Sequence, residues 1–296
     1  MALVINHNMM AMTATRNLDT AYDSLSKATN QLSSGLRINS AADDAAGLAV
    51  RELMRSNIAA LNQGVRNAND GISMLQTADG ALQVVDEKLI RMKELAEQAA
   101  TGTYTSTQRL IIDSEYQAMA SEITRIASAT DFNGIYLLNG NLSGSTNNDK
   151  GLTATGKLKI HFGPNNFSAE DYYYVQIGTS TASALGVGMN AAGTAGRSIS
   201  TQDLAQTALA QIQNAIVSKD KIRAALGALE NRLSNTITNL QVQSQNLQSA
   251  ESQISDVDVA SEMTEFVRDQ ILTQSAVAML SQANNLPKMA LQLMGG

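Results

Sequence analysis

The 296-residue sequence has no cysteine, no tryptophan and two prolines, and it is poor in aromatic residues (4%) and charged residues (16%). Without cysteine there are no disulfides and no thiolate metal sites. With few aromatics a bulky aromatic core is excluded. Ala, Ser, Thr, Asn, Gln and Leu fill the gap, and side chains this small let helices approach closely. A formal charge of −6, with Lys and Arg scattered, lacks the basic face that nucleic acid requires. No apolar run approaches the ~20 residues of a membrane span, so no membrane insertion is expected. The opening "MALVINHNMMAMTATRN" carries no basic leader, sustained apolar core or cleavage pattern. That predicts either retention or a route out that cleaves no signal peptide.

Signs of catalysis are equally sparse. His7 and His161 stand in separate segments without ligand spacing. "GVGMNAAGTAG" lacks the spacing of a dinucleotide loop and follows no good strand. No acid, base and nucleophile cluster together, so neither an enzyme nor a metal or other cofactor is expected. Asn141 and Asn166 open N-x-S sequons, a pattern short enough to arise by chance.

What is present is helical periodicity. Pro164 and Pro287 leave both flanks free to run helical. Val4, Ala11, Leu18, Leu25 and Leu32 lie seven apart, with Ala14, Ala21 and Ala28 three residues after the middle members. This is a narrow a/d seam, and Gly35 is a credible stop. "LRIN" reads as an extended connector, and Ser40 with Asp43 makes an S-x-x-D capping pattern. Asp43 and Asp44 are then expected in the first turn of a new helix, where carboxylates favour the positive end of its dipole. That helix carries Ile58, Leu61, Val65, Ala68, Ile72, Leu75, Ala78, Leu82, Val85, Leu89, Met92 and Ala96, with a phase shift at Ala78. "TGTYTSTQ" turns the chain into a shorter helix through Ile112, Tyr116, Met119, Ile123 and Ile126, which predicts a helical hairpin.

From about Asp131 to Ser200 the pattern changes. "FNGIYLLNG" has Asn-Gly turns, and "KLKIHFG" and "DYYYVQIG" alternate as strands do. The Gly/Ser/Thr-rich stretch after them reads mostly as loop. Helix returns at Thr201, with Leu226, Leu233, Leu240, Leu247 and Ile254 seven apart and Ile222, Leu229, Thr236 and Gln243 as companions. "SDVDVASE" interrupts it, and a last helix runs through Val259, Met263, Phe266, Val267, Leu272, Ala276, Met279, Ala283 and Leu286. The order is nearly palindromic: terminal helix, acidic break, long helix, β insert, long helix, acidic break, terminal helix. The expected fold is mainly α, a long antiparallel coiled-coil rod built from both chain ends, with a short helical hairpin and a small β-containing central insert. The breaks at Ser40–Asp44 and Ser255–Asp258 are expected side by side. Two isolated terminal helices bury little and are marginal in water. Their apolar stripes make sense if many copies complete them, and contacts that do not close on themselves grow a filament.

The run "LSSGLRINSAADDAAGLAV" closely resembles the N-terminal signature of bacterial flagellins. "INHNMMAMTATRNL", "NDGISMLQTADGAL", "ALGALENRLSNTITNLQ" and "ILTQSAVAMLSQANNLPKMALQL" resemble family segments at both ends. The resemblance implies a homo-polymeric filament subunit for motility. Residues 1–40 and 257–296 would form its inner tube, 41–140 and 201–256 the next shell, and 141–200 a variable insert facing solvent. Leu18, Leu25, Leu32, Met263, Phe266, Leu272, Met279, Leu280 and Leu286 are the candidate packing residues of the terminal helices. The same resemblance implies unfolded export through the flagellar type III apparatus to the cell exterior, with an export chaperone, a filament cap and hook-associated junction proteins as partners. Some family members are read by Toll-like receptor 5 through a segment similar to "LIRMKEL". Leu89, Arg91, Glu94 and Leu95 match it, Ile90 and Lys93 depart from it, and Glu122 matches a second acidic contact; an Arg-to-Lys change removes bidentate geometry. Two rivals share parts of the pattern: a hook–filament junction protein with similar terminal helices, and a chemoreceptor-like signalling hairpin. The alternating strands at mid-chain oppose the second.

Overall fold

The computed structural model describes residues 7–144, 156–167, 170–188 and 197–294, with backbone alone at 286 and 290–294. Helix dominates: α1 (Met9–Ser34), α2 (Ala45–Ala100), α3 (Ser106–Ala129), the one-turn α4 (Ala182–Leu185), α5 (Gln202–Ser255) and α6 (Val259–Met294). Among the described residues two small antiparallel sheets interrupt it, β1 (Asp131–Phe132) with β2 (Ile135–Tyr136), and β3 (Leu158–His161) with β4 (Tyr172–Val175). The chain divides into two compact units, Met1–Ile58 with Gln245–Gly296, and Ala59–Ser244.

Within Ala59–Ser244 the long helices run antiparallel, and polar contacts fix their register. Ser244 donates to Asn62, Gln76 to Glu230, Arg223 to Asp79, Lys219 to Asp86, and Lys93 to Gln213. Each step forward on α2 is matched by a step back on α5. The expected seam lies inside: Leu61, Ala68, Leu75, Ala78, Leu82, Val85, Leu89, Met92 and Ala96 are buried, phase shift included. On α5, Leu226, Leu233 and Leu240 are buried as expected, but Ser244 rather than Gln243 takes the next inward position. A step of four follows Leu240 there, which keeps the stripe on a 3.6-residue period. Lys219 sits in the core at 2% exposure, its ammonium held between Asp86 and Asp220.

The hairpin of α2 and α3 forms through a capping box at Thr105 and Gln108. Tyr116, Ala120 and Ile123 pack against Leu89, Met92 and Leu95. β1 and β2 turn through Asn133 and Gly134, both with positive φ (52° and 81°), as a two-residue hairpin demands. The insert shares its core with the helices: Leu142, Ile160, Val175 and Ile177 pack with Ala68, Leu75, Leu226 and Leu233. Two glycines of α2 make room for it. A Cβ at Gly64 would lie 1.9 Å from the Phe162 carbonyl oxygen, and one at Gly71 would lie 2.5 Å from Ile160 Cδ1. Asn67 beside them donates to the His161 carbonyl at 2.8 Å. The region read as loop contains the short α4, capped by Thr181, and its 189–196 stretch lies outside the described residues, as does Ser168 of the second sequon.

Candidate assembly faces of the terminal helices

α1 begins at Asn8, whose side chain accepts from the Ala11 amide at 3.1 Å, and it ends at Gly35 in the left-handed region (φ 72°). It runs antiparallel to α6, with Asn8 against Ala283 at one end and Gly35 bonded to Val257 at the other. Ala11, Ala14, Leu18, Ala21, Leu25, Ala28 and Leu32 are the covered positions of α1, the stripe expected from the heptads, with Gln31 buried beside them. Val4 lies outside the described residues. Alanine at four of these positions lets the two backbones come close along their length.

α6 departs from its expected phase. The positions it turns to α1 are Glu262, Phe266, Asp269, Thr273, Ala276, Leu280 and Ala283, so a carboxylate and a hydroxyl lie in the buried seam. Thr273 satisfies its hydroxyl on the Asp269 carbonyl at 2.7 Å. Meanwhile Val259, Met263, Val267, Ile271, Leu272, Val277, Met279 and Met289 face outward, 44% to 61% exposed. Of the candidate packing residues, Leu18, Leu25, Leu32, Phe266 and Leu280 therefore line the seam within the chain. Met263, Leu272 and Met279 lie on outer faces, and the side chain of Leu286 is outside the described residues. Assigning apolar residues inward misses this phase, because the helix carries apolar residues on its outer faces as well as in its seam. A helix of that kind is built to be surrounded. Met9, Met10, Met12 and Tyr22 add exposed apolar surface on α1. A groove of about 700 Å³ runs between the helices, lined by Met9, Met10, Ala14, Ala21, Leu272, Ala276 and Met279 among others.

The second break does pair with the end of α1, but through Gly35–Arg37 rather than through Ser40–Asp44 as expected. Leu36 bridges Asp256, the Arg37 amide donates to the Ser255 carbonyl at 2.7 Å, and the Val257 amide to the Gly35 carbonyl at 3.1 Å. Around this pairing, side chains cap carbonyls: Gln31 reaches Arg37, Arg37 reaches Ile254, and the buried Arg51 reaches Ile38. Neither aspartate lies in the first turn of α2, which starts at Ala45. Asp44 is the N-cap and accepts from the Gly47 amide at 2.9 Å. Asp43 closes the preceding turn, accepting from the Asn39 and Ser40 amides and the Ser40 hydroxyl and pairing with Lys27 at 3.2 Å. The Ser40 amide above all, then Lys27, holds the Asp43 carboxyl down to about 2. The S-x-x-D spacing marks the turn that Ser40 and Asp43 close rather than the helix cap, which falls to Asp44 because one more turn separates Ser40 from α2. Asp258 plays the same part for α6, accepting from the Ala260 amide at 3.1 Å.

The receptor-like segment divides by depth. Leu89 and Leu95 are fully buried in the α2–α3–α5 core. Arg91 is exposed, pairing with Glu94 at 3.0 Å and with Glu115 of α3 at 2.8 Å, and those partners hold its guanidinium above its ordinary range. Glu122 pairs instead with Arg125 at 2.6 Å. Among the described residues no group of His, Cys, Asp or Glu could hold a metal ion, and no helix is long and apolar enough to cross a membrane.

Both ends of the chain match known family models. Residues 5–143 match the bacterial flagellin N-terminal helical region and 209–294 the C-terminal helical region. The chain belongs to the bacterial flagellin family. This flagellin is 42% identical to the flagellar filament 33 kDa core protein of Treponema phagedenis over 292 residues, covering 99% of this chain and 100% of that one. It is 41% identical to flagellin FlaB2 of Treponema pallidum and 40% identical to a flagellin of Halalkalibacterium halodurans over the same length, again covering 99% of this chain and 100% of each relative. A crystal structure of Bacillus cereus flagellin is similar over 63% of this chain and 94% of that one, at 27% identity and a TM-score of 0.46. The chain is a structural subunit of the flagellar filament and not an enzyme.

Proposed function

We propose that this flagellin enters the filament through the outward faces of α1 and α6, which neighbouring copies cover. The observation that carries the reading is the mixed polarity of α6: Asp269 and Thr273 are buried against α1 beside Phe266, Ala276, Leu280 and Ala283, while Ile271, Leu272, Val277 and Met279 face out. A lone pair of helices would gain by apolar residues at positions 269 and 273 and polar ones outside, since burying an apolar side chain is worth roughly 1.5–3 kcal/mol and burying a carboxylate costs. In this reading residues 1–40 and 257–296 form the inner tube, 41–140 and 201–256 the shell around it, and 141–200 the solvent side. Leu18, Leu25, Leu32, Phe266 and Leu280 hold the pair within a copy; Met263, Leu272, Met279 and the tail around Leu286 serve contacts between copies.

Such a subunit reaches the cell exterior unfolded, through the type III export apparatus, with an export chaperone covering the apolar termini beforehand. It is placed beneath a cap, on top of the junction proteins of the hook. Recognition by Toll-like receptor 5 would rest on Arg91, Glu94 and Glu122, since Leu89 and Leu95 reach no surface of the single chain. Electron microscopy of the purified protein after salt-induced polymerisation tests the reading. Long helical filaments are expected; a protein that forms only a short zone on preformed ends, as a hook–filament junction protein does, would contradict it.

A further inference from the structure

α6 continues to Met294 through Pro287, a residue expected to break it. A proline has no amide hydrogen, so the carbonyl four residues earlier, that of Ala283, loses its helical donor. That carbonyl accepts from the Asn8 side-chain nitrogen at 2.9 Å. The other end of the same amide group, Asn8 Oδ1, caps α1 on the Ala11 amide. Asn8 thus satisfies one orphan group on each helix, and both of its partners lie in the partly buried start of the α1–α6 pair. At the far end the backbone bonds of Gly35–Arg37 with Ser255–Val257 fix the joint; between the two ends the seam is made of alanines, leucines, Phe266 and short polar groups, which specify axial position weakly. A smooth stripe tolerates a slip of one turn; a donor aimed at the one carbonyl that the proline leaves unpaired does not.

We propose that Asn8 is a positioning residue for assembly, which holds the axial register of α1 on α6 at the end away from the Gly35–Val257 joint by answering the carbonyl freed by Pro287. Register matters because the outer stripes of both helices must face neighbouring copies together; the inference therefore rests on the assembly reading above. Asn8→Ser separates the two roles. Serine caps a helix almost as well as asparagine, but it is too short to reach across to Ala283. Pro287→Ala supplies the missing amide within α6 and makes the reach unnecessary.

Four chains are compared: the parent, Asn8→Ser, Pro287→Ala and the double variant. The concentration left unpolymerised after salt-induced assembly is measured, together with hydrogen exchange of the α1 first-turn amides in the sedimented and free fractions. Asn8→Ser alone is expected to raise the unpolymerised concentration about fivefold, the size of one net hydrogen bond, and to speed exchange in the first turn. In the Pro287→Ala background the same substitution should do neither. An equal penalty in both backgrounds, or none in either, overturns the proposal and reduces Asn8 to a cap. Should the parent fail to polymerise at all, the assembly reading falls separately. Exchange in the free chains then decides the register claim, and first-turn amides equally unprotected in all four would overturn it.

Discussion

Met279→Ala isolates the outward face of α6. Met279 is 61% exposed in the single chain and touches the groove beside α1 rather than the seam. Burial of a whole methionine is worth roughly 1.5–3 kcal/mol, so covering what remains exposed would contribute about 1–2 kcal/mol to each subunit added. Alanine is the better helix former, so any loss cannot be charged to helix propensity. The unpolymerised concentration at equilibrium should rise roughly 5- to 30-fold. Thermal unfolding of the Ala59–Ser244 unit, which does not contain Met279, should be unchanged. The assay is sedimentation after salt-induced polymerisation across a series of starting concentrations. Assembly at the parental concentration would refute the claim that neighbouring copies cover this face.

Leu280→Asp places a carboxylate on the α1 side of α6; filaments should disappear while the circular-dichroism melt of the Ala59–Ser244 unit persists, and long filaments of that variant would refute the seam. Gly64→Ala and Gly80→Ala should differ in sign. Alanine at Gly80 meets nothing within 4 Å and should stabilise by about 1 kcal/mol, whereas at Gly64 it strikes the backbone of Phe162 and should cost roughly 1–3 kcal/mol, both read as melting temperatures. The Asp43 carboxyl is depressed to about 2 from an ordinary value near 3.8. A depressed carboxylate stabilises the fold above its unfolded value and loses that contribution as pH falls, here between about 4 and 2. Asp43→Asn should remove that acid dependence from exchange at the Asn39 and Ser40 amides, and a carboxyl titrating near 4 by NMR would refute the turn geometry.

How far the sequence disclosed this molecule depended on what each stripe faces. α1 and the inner face of α2 meet their partners through apolar residues, so Ala11 to Leu32 and Leu61 to Ala96 can be read directly from their spacing. α6 places Asp269 and Thr273 among the apolar residues that face α1 and turns methionine and valine outward, so a rule that turns apolar residues inward fails on it. Gly64 and Gly71 were silent because a small residue in a helix announces no partner until Phe162 and Ile160 lie against it. Asn8 read as one more polar residue, since its two roles meet only when residues 275 positions apart come together. Lys219 carried no sign of burial either; Asp86 and Asp220 compensate it, one from across the interface and one from its own helix.

Methionine oxidation by dilute peroxide, mapped by mass spectrometry in the free chain and in filaments, tests the central claim most directly. Met9, Met10, Met12, Met263, Met279 and Met289 are exposed in the single chain, while Met74 and Met92 are buried and serve as internal controls. The terminal methionines should oxidise readily in the dilute free chain and become resistant in filaments, with the two controls resistant in both. Equal oxidation of the terminal methionines before and after polymerisation would mean that no neighbouring copy covers them.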